Sequence, residues 1–166
     1  MKRRGPTSLE EHKKQLASDP EYRRKRAEKL ALVEKLAAEC AKEEAALVRE
    51  IRESGYDVGS VWDLVNNAPH PFLERRFVGP YPAAYEILTR HLRMPHHPRT
   101  REGIARALTV RDGPDGLPNA LLAEFTKESD QHVRWALSNA LVYMTPKSEL
   151  AKIPEVLAAH ERGVVL

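Results

Sequence analysis

An internal disulfide is excluded at once, because the chain has a single cysteine, Cys40, and a cysteine-based structural zinc site falls with it. Aromatic residues are scarce, with three Phe, two Trp and five Tyr, so the apolar load is mostly aliphatic. No window approaches the roughly 18 consecutive apolar residues that a membrane span needs. The charged start, MKRRGPTSLEEHKK, has no apolar stretch behind it of the kind a secretory leader carries. A cytoplasmic protein with no membrane association is the expectation. Reactive motifs are missing as well: there is no glycine-rich phosphate loop, no serine elbow, no HExxH and no cysteine paired with a plausible base. His96 and His97 are adjacent ahead of Pro98, with His91 upstream, but no acid at helical spacing joins them. A metal site needs several convergent ligands and a second shell. Asp63 beside Trp62 is one carboxylate without a partner, which carries no reaction, and reads as a cap or surface residue. No metal, no cofactor and no enzymatic activity are expected.

What the chain does have is an abundance of Ala and Leu, the residues that lose least on entering a helix, within 42% hydrophobic and 31% charged residues. The fold class that follows is all-α. Thr7 or Ser8 with Glu10 and Glu11 offers a capping-box entry to a short helix ending near Ser18. Asp19 then suits a cap and Pro20 a first helical position, and nothing breaks the helical pattern from Glu21 to Ser54. Its apolar face is Leu30, Val33, Ala37, Cys40, Glu44, Leu47 and Ile51, a heptad-like seam interrupted by Glu44. Three partners are open to that seam: the rest of the chain, a second copy in a homodimer through the 20–54 helix, or another protein. Leu32 and Leu36 widen it, which favours packing into a globular core over a thin coiled coil. Gly55 ends the helix, SVWDLVNN makes a short one, and the proline-rich stretch from Ala68 to Pro82 is a loop with at most one turn around Phe72 and Leu73. Phe72 and Phe77 beside Arg75 and Arg76 make that loop a candidate recognition element. The organisation is thus 1–54, 55–79 and 80–166.

Two stretches align at an offset of 33 residues, TREGIARALTV from Thr100 and VRWALSNALVY from Val133. Arg101 falls on Arg134, Ile104 on Leu137 and Leu108 on Leu141, while upstream Leu88 falls on Leu121 and Leu92 on Phe125. Each unit is a helix, a short polar break and a second helix. Small residues on the second helix, Gly103, Ala105 and Ala107, then Ala136, Ser138 and Ala140, let helices approach closely. The run Asp130-Gln-His-Val-Arg134-Trp-Ala136-Leu-Ser-Asn-Ala140-Leu141 resembles the second helix of HEAT-like repeats. That resemblance implies a short HEAT-like array of α-α hairpins preceded by the long amphipathic helix. It also implies that Asp130 and Arg134, with Arg101 at the aligned position, hydrogen-bond between neighbouring repeats. The first unit departs from the pattern, since His97 stands where Asp130 does and Gly103 where Ala136 does. Ser148 to His160 adds a capping helix with a kink at Pro154.

Charge is placed unevenly. Up to Lys29 there are ten Lys or Arg against five acids, and between His70 and Arg111 eight arginines against three acids. Such asymmetry favours an anionic partner. The leading expectation is a non-enzymatic, HEAT-like protein-interaction adaptor, regulator or inhibitor with a protein partner, acidic in character. Arg90, Arg93, Arg99, Arg106, Trp135, Phe72, Arg75 and Arg76 are the candidate contacts. The alternative is nucleic-acid binding by the arginine-rich surface, opposed by the lack of aromatic residues interleaved with those arginines in the sequence.

Overall fold

The computed structural model describes residues 18–69 and 74–163 together with Ser8 and Phe72, and every regular element among them is helical. The expected capping box at Thr7, Glu10 and Glu11, and Leu73 of the expected loop turn, lie outside the described residues. The chain divides into two compact units, residues 1–39 and 40–166. No described helix is long and apolar enough to cross a membrane.

Helix α1, Pro20–Glu43, begins in the first unit. Asp19 starts it as expected, its Oδ1 accepting from the Glu21 and Tyr22 amides at 2.8 and 3.3 Å. Exposed i,i+4 pairs, Glu21 with Lys25 and Arg24 with Glu28, run along its surface. Leu30, Leu32 and Val33 are exposed, so the seam expected from Leu30 to Ile51 is buried only from Cys40 onward. The single helix expected over 20–54 is also corrected: it stops at Glu43 and resumes as α2, Ala45–Glu53. Glu44 sits in the break. Its carboxylate turns into the core, where Oε2 accepts from the Val61 amide at 3.2 Å. The apparent defect in the apolar seam is a buried acceptor for another element.

In the second unit, α2 is followed by α3 (Val61–Val65), a 3₁₀ turn (Pro82–Ala84) and α4 (Tyr85–Leu92). Then come α5 (Pro98–Ala107), α6 (Leu117–Lys127), α7 (Gln131–Met144), α8 (Lys147–Leu150) and α9 (Pro154–Gly163). The helices sort into two rows. The odd-numbered α3, α5, α7 and α9 pack each on the next, and α2, α4 and α6 do the same. Within α4–α5 and α6–α7 the two rows meet as hairpins. Leu88, Leu92, Ile104, Leu108, Leu121, Phe125, Leu137 and Leu141 fill the space between them and are buried. These are the positions that align at the 33-residue offset. Pro154 does not kink a continuous helix as expected. It opens a new one, because a proline nitrogen has no hydrogen to donate and its ring suits the first turn.

Gly103 explains how α3 reaches α5. A Cβ there would lie 2.6 Å from Val61 Cγ1 and 3.1 Å from Trp62 Nε1, so only glycine admits the contact. Ser60 caps α3, with Asp63 closing the capping box by accepting from Ser60 N. The proline-rich stretch lies against the body of the unit: Phe77 packs edge-on to Tyr56 and Tyr81, and Tyr81 donates to the Ala107 carbonyl at 2.8 Å. Burial pushes the Tyr81 hydroxyl up to about 12, so it stays a donor.

Candidate functional site

Helix α5 carries Arg99 and Arg106 seven positions apart, two turns along one face, with Gly103 between them. That glycine draws Trp62 of α3 against the same face from one side, and α7 brings Trp135 from the other. The Arg99 guanidinium lies 5.0 Å from the centre of the Trp62 ring, and Arg106 lies 5.9 Å from Trp62 and 4.7 Å from Trp135. All three separations are within cation–π range. Both indoles are half-buried and Arg99 is exposed. The result is an alternating band, Arg99, Trp62, Arg106, Trp135, assembled from three helices. The sequence-based objection that no aromatic interleaves the arginines is thereby corrected. Arg99, Gly103 and Arg106 at i, i+4 and i+7 were the available signal, marking a face where something bulky must approach.

The remaining arginines are mostly paired with groups of the same chain. Arg90 pairs with Glu50, and Arg76 holds Asp57 at 3.1 Å, tethering the proline-rich stretch. Arg101 reaches the carbonyls of Leu92 and Met94 at 2.7 and 3.2 Å, and the carboxylates of Glu128 and Glu124 at 3.0 and 3.4 Å. Arg134 repeats the first of these contacts, donating to Phe125 O at 2.8 Å, the position aligned with Leu92, and also reaches Glu128 O at 3.2 Å. Asp130 was expected to bond between repeats, but it caps its own helix, accepting from His132 N and Val133 N. The contact between hairpins is made instead by Arg101 to the two glutamates of the α6 end. Arg106 is held by Glu102 one turn earlier on α5. Phe72 is exposed, Arg75 is half-buried, and Arg93 is exposed with no carboxylate partner among the described residues.

A second polar cluster lies against α4, with His91 buried and its partners half-buried. His91 Nε2 faces Glu50 Oε2 at 3.3 Å, and His91 Nδ1 meets His96 Nε2 at 3.0 Å. His96 Nδ1 faces Glu43, whose other oxygen accepts from Thr100 Oγ1 at 2.8 Å. The partners dictate the protons. With Glu50 accepting, His91 carries hydrogen on Nε2 and presents a bare Nδ1 to the His96 N–H. Burial pushes the His91 imidazole below its usual value, and this outweighs the hydrogen bond His91 donates to Glu50, which acts the other way. Cys40 Sγ lies 3.6 Å from His97 Nδ1, a pairing invisible in the sequence because 57 residues separate them. His97 Nδ1 also accepts from the Arg99 amide at 3.2 Å, capping α5, and the Cys40 sulfur is buried. No group of three or more His, Cys, Asp or Glu among the described residues is arranged to hold a metal.

Comparison with known protein families, curated proteins and solved structures finds no match to this chain.

Proposed function

We propose that the chain is a non-enzymatic binding protein whose two rows of helices form a short HEAT-like array. Its band of Arg99, Trp62, Arg106 and Trp135 engages an acidic partner protein. The observation that carries this reading is the alternation of guanidinium groups and indoles on a surface built from three helices. Tryptophan and arginine are the side chains that dominate binding energy at protein interfaces. The Cys40–His97 pair does not oppose it. The His97 ring is occupied as a helix cap and the sulfur is covered, which is poor placement for a nucleophile.

Nucleic acid is the second reading, and the same band favours it, since indoles stack bases and guanidiniums meet phosphates. Against it stands the pairing of charge within the chain: Arg76, Arg90, Arg101 and Arg106 all face carboxylates. A surface that tracks a phosphate backbone needs many free cations, because each neutralised phosphate adds to affinity.

The test is tryptophan fluorescence and anisotropy, titrating the full chain with a glutamate-rich peptide and, separately, with a short DNA duplex at low and moderate salt. Preference for the peptide, weakened at least fivefold in an Arg99→Gln, Arg106→Gln double variant, supports the protein-partner reading. Tighter and steeply salt-dependent binding of the duplex replaces it with the nucleic-acid reading.

A further inference from the structure

At the end of the Arg–Trp band the surface opens into a cleft of about 460 Å³ between the first turns of α7 and the last turn of α9. Its walls include Arg106, Arg134 and Arg162, with Trp135, His132 and Gly163. Trp135 forms one flat wall. The last turn of α9 is pressed onto the indole edge, since a Cβ on Gly163 would lie 1.7 Å from Trp135 Nε1. Among the described residues no carboxylate lines the cleft. Arg106 is set against Glu102, while Arg134 is bonded to backbone carbonyls and Arg162 to the Ala158 carbonyl at 3.1 Å. Two guanidinium charges are therefore left without a carboxylate among the described residues, and both are steered by neutral acceptors. The α7 amides are not the source of attraction, because Asp130 already occupies those of His132 and Val133. The indole N–H of Trp135 is buried with no acceptor among the described residues. That N–H lies under the last turn of α9, so the guanidiniums and the open face of the ring, not the indole nitrogen, are what the cleft offers a ligand.

From this we infer that the cleft is a carboxylate subsite: it takes a glutamate side chain of an acidic peptide segment, its carboxylate between Arg162 and Arg134 and its apolar stem along Trp135. Planar guanidiniums match a carboxylate in two-point contact. The volume holds one or two side chains, and the two uncompensated charges suit one or two carboxylates more than a run of phosphates. The inference rests on the proposed binding of an acidic protein and names the feature of that partner the cleft recognises.

The experiment uses the full chain, a fluorescein-labelled peptide of alternating Glu and Leu, and its Gln-for-Glu counterpart. Arg162→Gln is the informative variant, because Arg162 lies at a helix end and, among the described residues, bonds a carbonyl in its own helix. Lys152→Gln, in the turn between α8 and α9, removes one charge outside the cleft. The expected result is Glu-peptide binding that falls at least fivefold in Arg162→Gln and less than twofold in Lys152→Gln. The Gln peptide binds at least tenfold more weakly than the Glu peptide, and Trp135 emission shifts on binding. Equal losses in the two variants overturn the subsite while leaving acidic-partner binding in place. Competition by inorganic phosphate or a mononucleotide at lower concentration than the Glu peptide overturns the carboxylate assignment. Wild-type chain that binds no Glu peptide sinks the reading beneath it.

Discussion

At the scale of single residues, the informative ones are those that break a pattern. Glu44 interrupts an apolar seam, and burial holds its carboxyl above the usual 4.5. The same side chain supplies the acceptor for the Val61 amide. Glu44→Ala therefore leaves a buried N–H unpaired and is expected to cost about 1–3 kcal/mol. Glu44→Gln keeps an oxygen in place and removes the charge that burial opposes. The sign follows from linkage. With the folded value raised, the folded state binds more protons, so the wild type loses stability as pH rises from 4.5 through the raised value. Glu44→Gln lacks that loss. Urea melts at about pH 4 and about pH 7 are expected to show the Gln variant gaining on wild type at the higher pH, with the Ala variant below both. A Gln variant as unstable as the Ala variant at the higher pH would show that the carboxylate charge itself is required. Gly103 breaks a pattern differently, by being absent from the contact it permits.

At the scale of elements, the close approach of α3 and α5 depends on that glycine. Alanine is the better helix former by about 1 kcal/mol, so Gly103→Ala on an isolated helix would stabilise. Here the new methyl meets Val61, a short branched side chain buried in α3 that has nowhere to swing. Overpacking of this kind costs about 1–3 kcal/mol, and the net expectation is destabilisation with a shift in Trp62 emission. Val61→Ala in the same chain makes room, so the double variant is expected to be more stable than the sum of the single changes predicts. Strict additivity would show that the two helices do not meet at this point. How much of the fold is legible beforehand follows the same logic. The hairpins α4–α5 and α6–α7 are readable in the sequence because Leu88, Ile104, Leu121 and Leu137 recur at helical and 33-residue spacing. The break at Glu44 and the new start at Pro154 are less so, since the first depends on an amide 17 residues away. The Arg–Trp band was half visible: the arginines were candidates, but the pairing with Trp62 and Trp135 is created by the order in which helices stack, which local periodicity does not encode.

At the scale of the whole second unit, the chain of Glu43, His96, His91 and Glu50 gathers the end of α1, α2, α4, the following turn and, through Thr100, the start of α5. Sequence reading saw three histidines near a turn and no acid at helical spacing, because both carboxylates come from an earlier part of the chain. The arrangement makes stability depend on pH in a definite direction. His91 is 1% exposed, and its burial holds the imidazole below its usual 6.5 while an unfolded chain titrates at that value. Below 6.5 the unfolded state therefore takes up a proton that the folded state refuses, and the contribution present above 6.5 is lost as pH falls through the lowered value. The groups facing His91 are Glu50, His96 and Arg90; the first draws the value up and the other two press it down. In His91→Gln one side-chain amide stands for the ring and the titration disappears. Denaturation midpoints followed between about pH 7.5 and about pH 5 are expected to fall more steeply for wild type than for His91→Gln. The difference should be largest below 6.5. Parallel slopes would show that His91 binds its proton as readily folded as unfolded, and with it that burial does not hold its imidazole down.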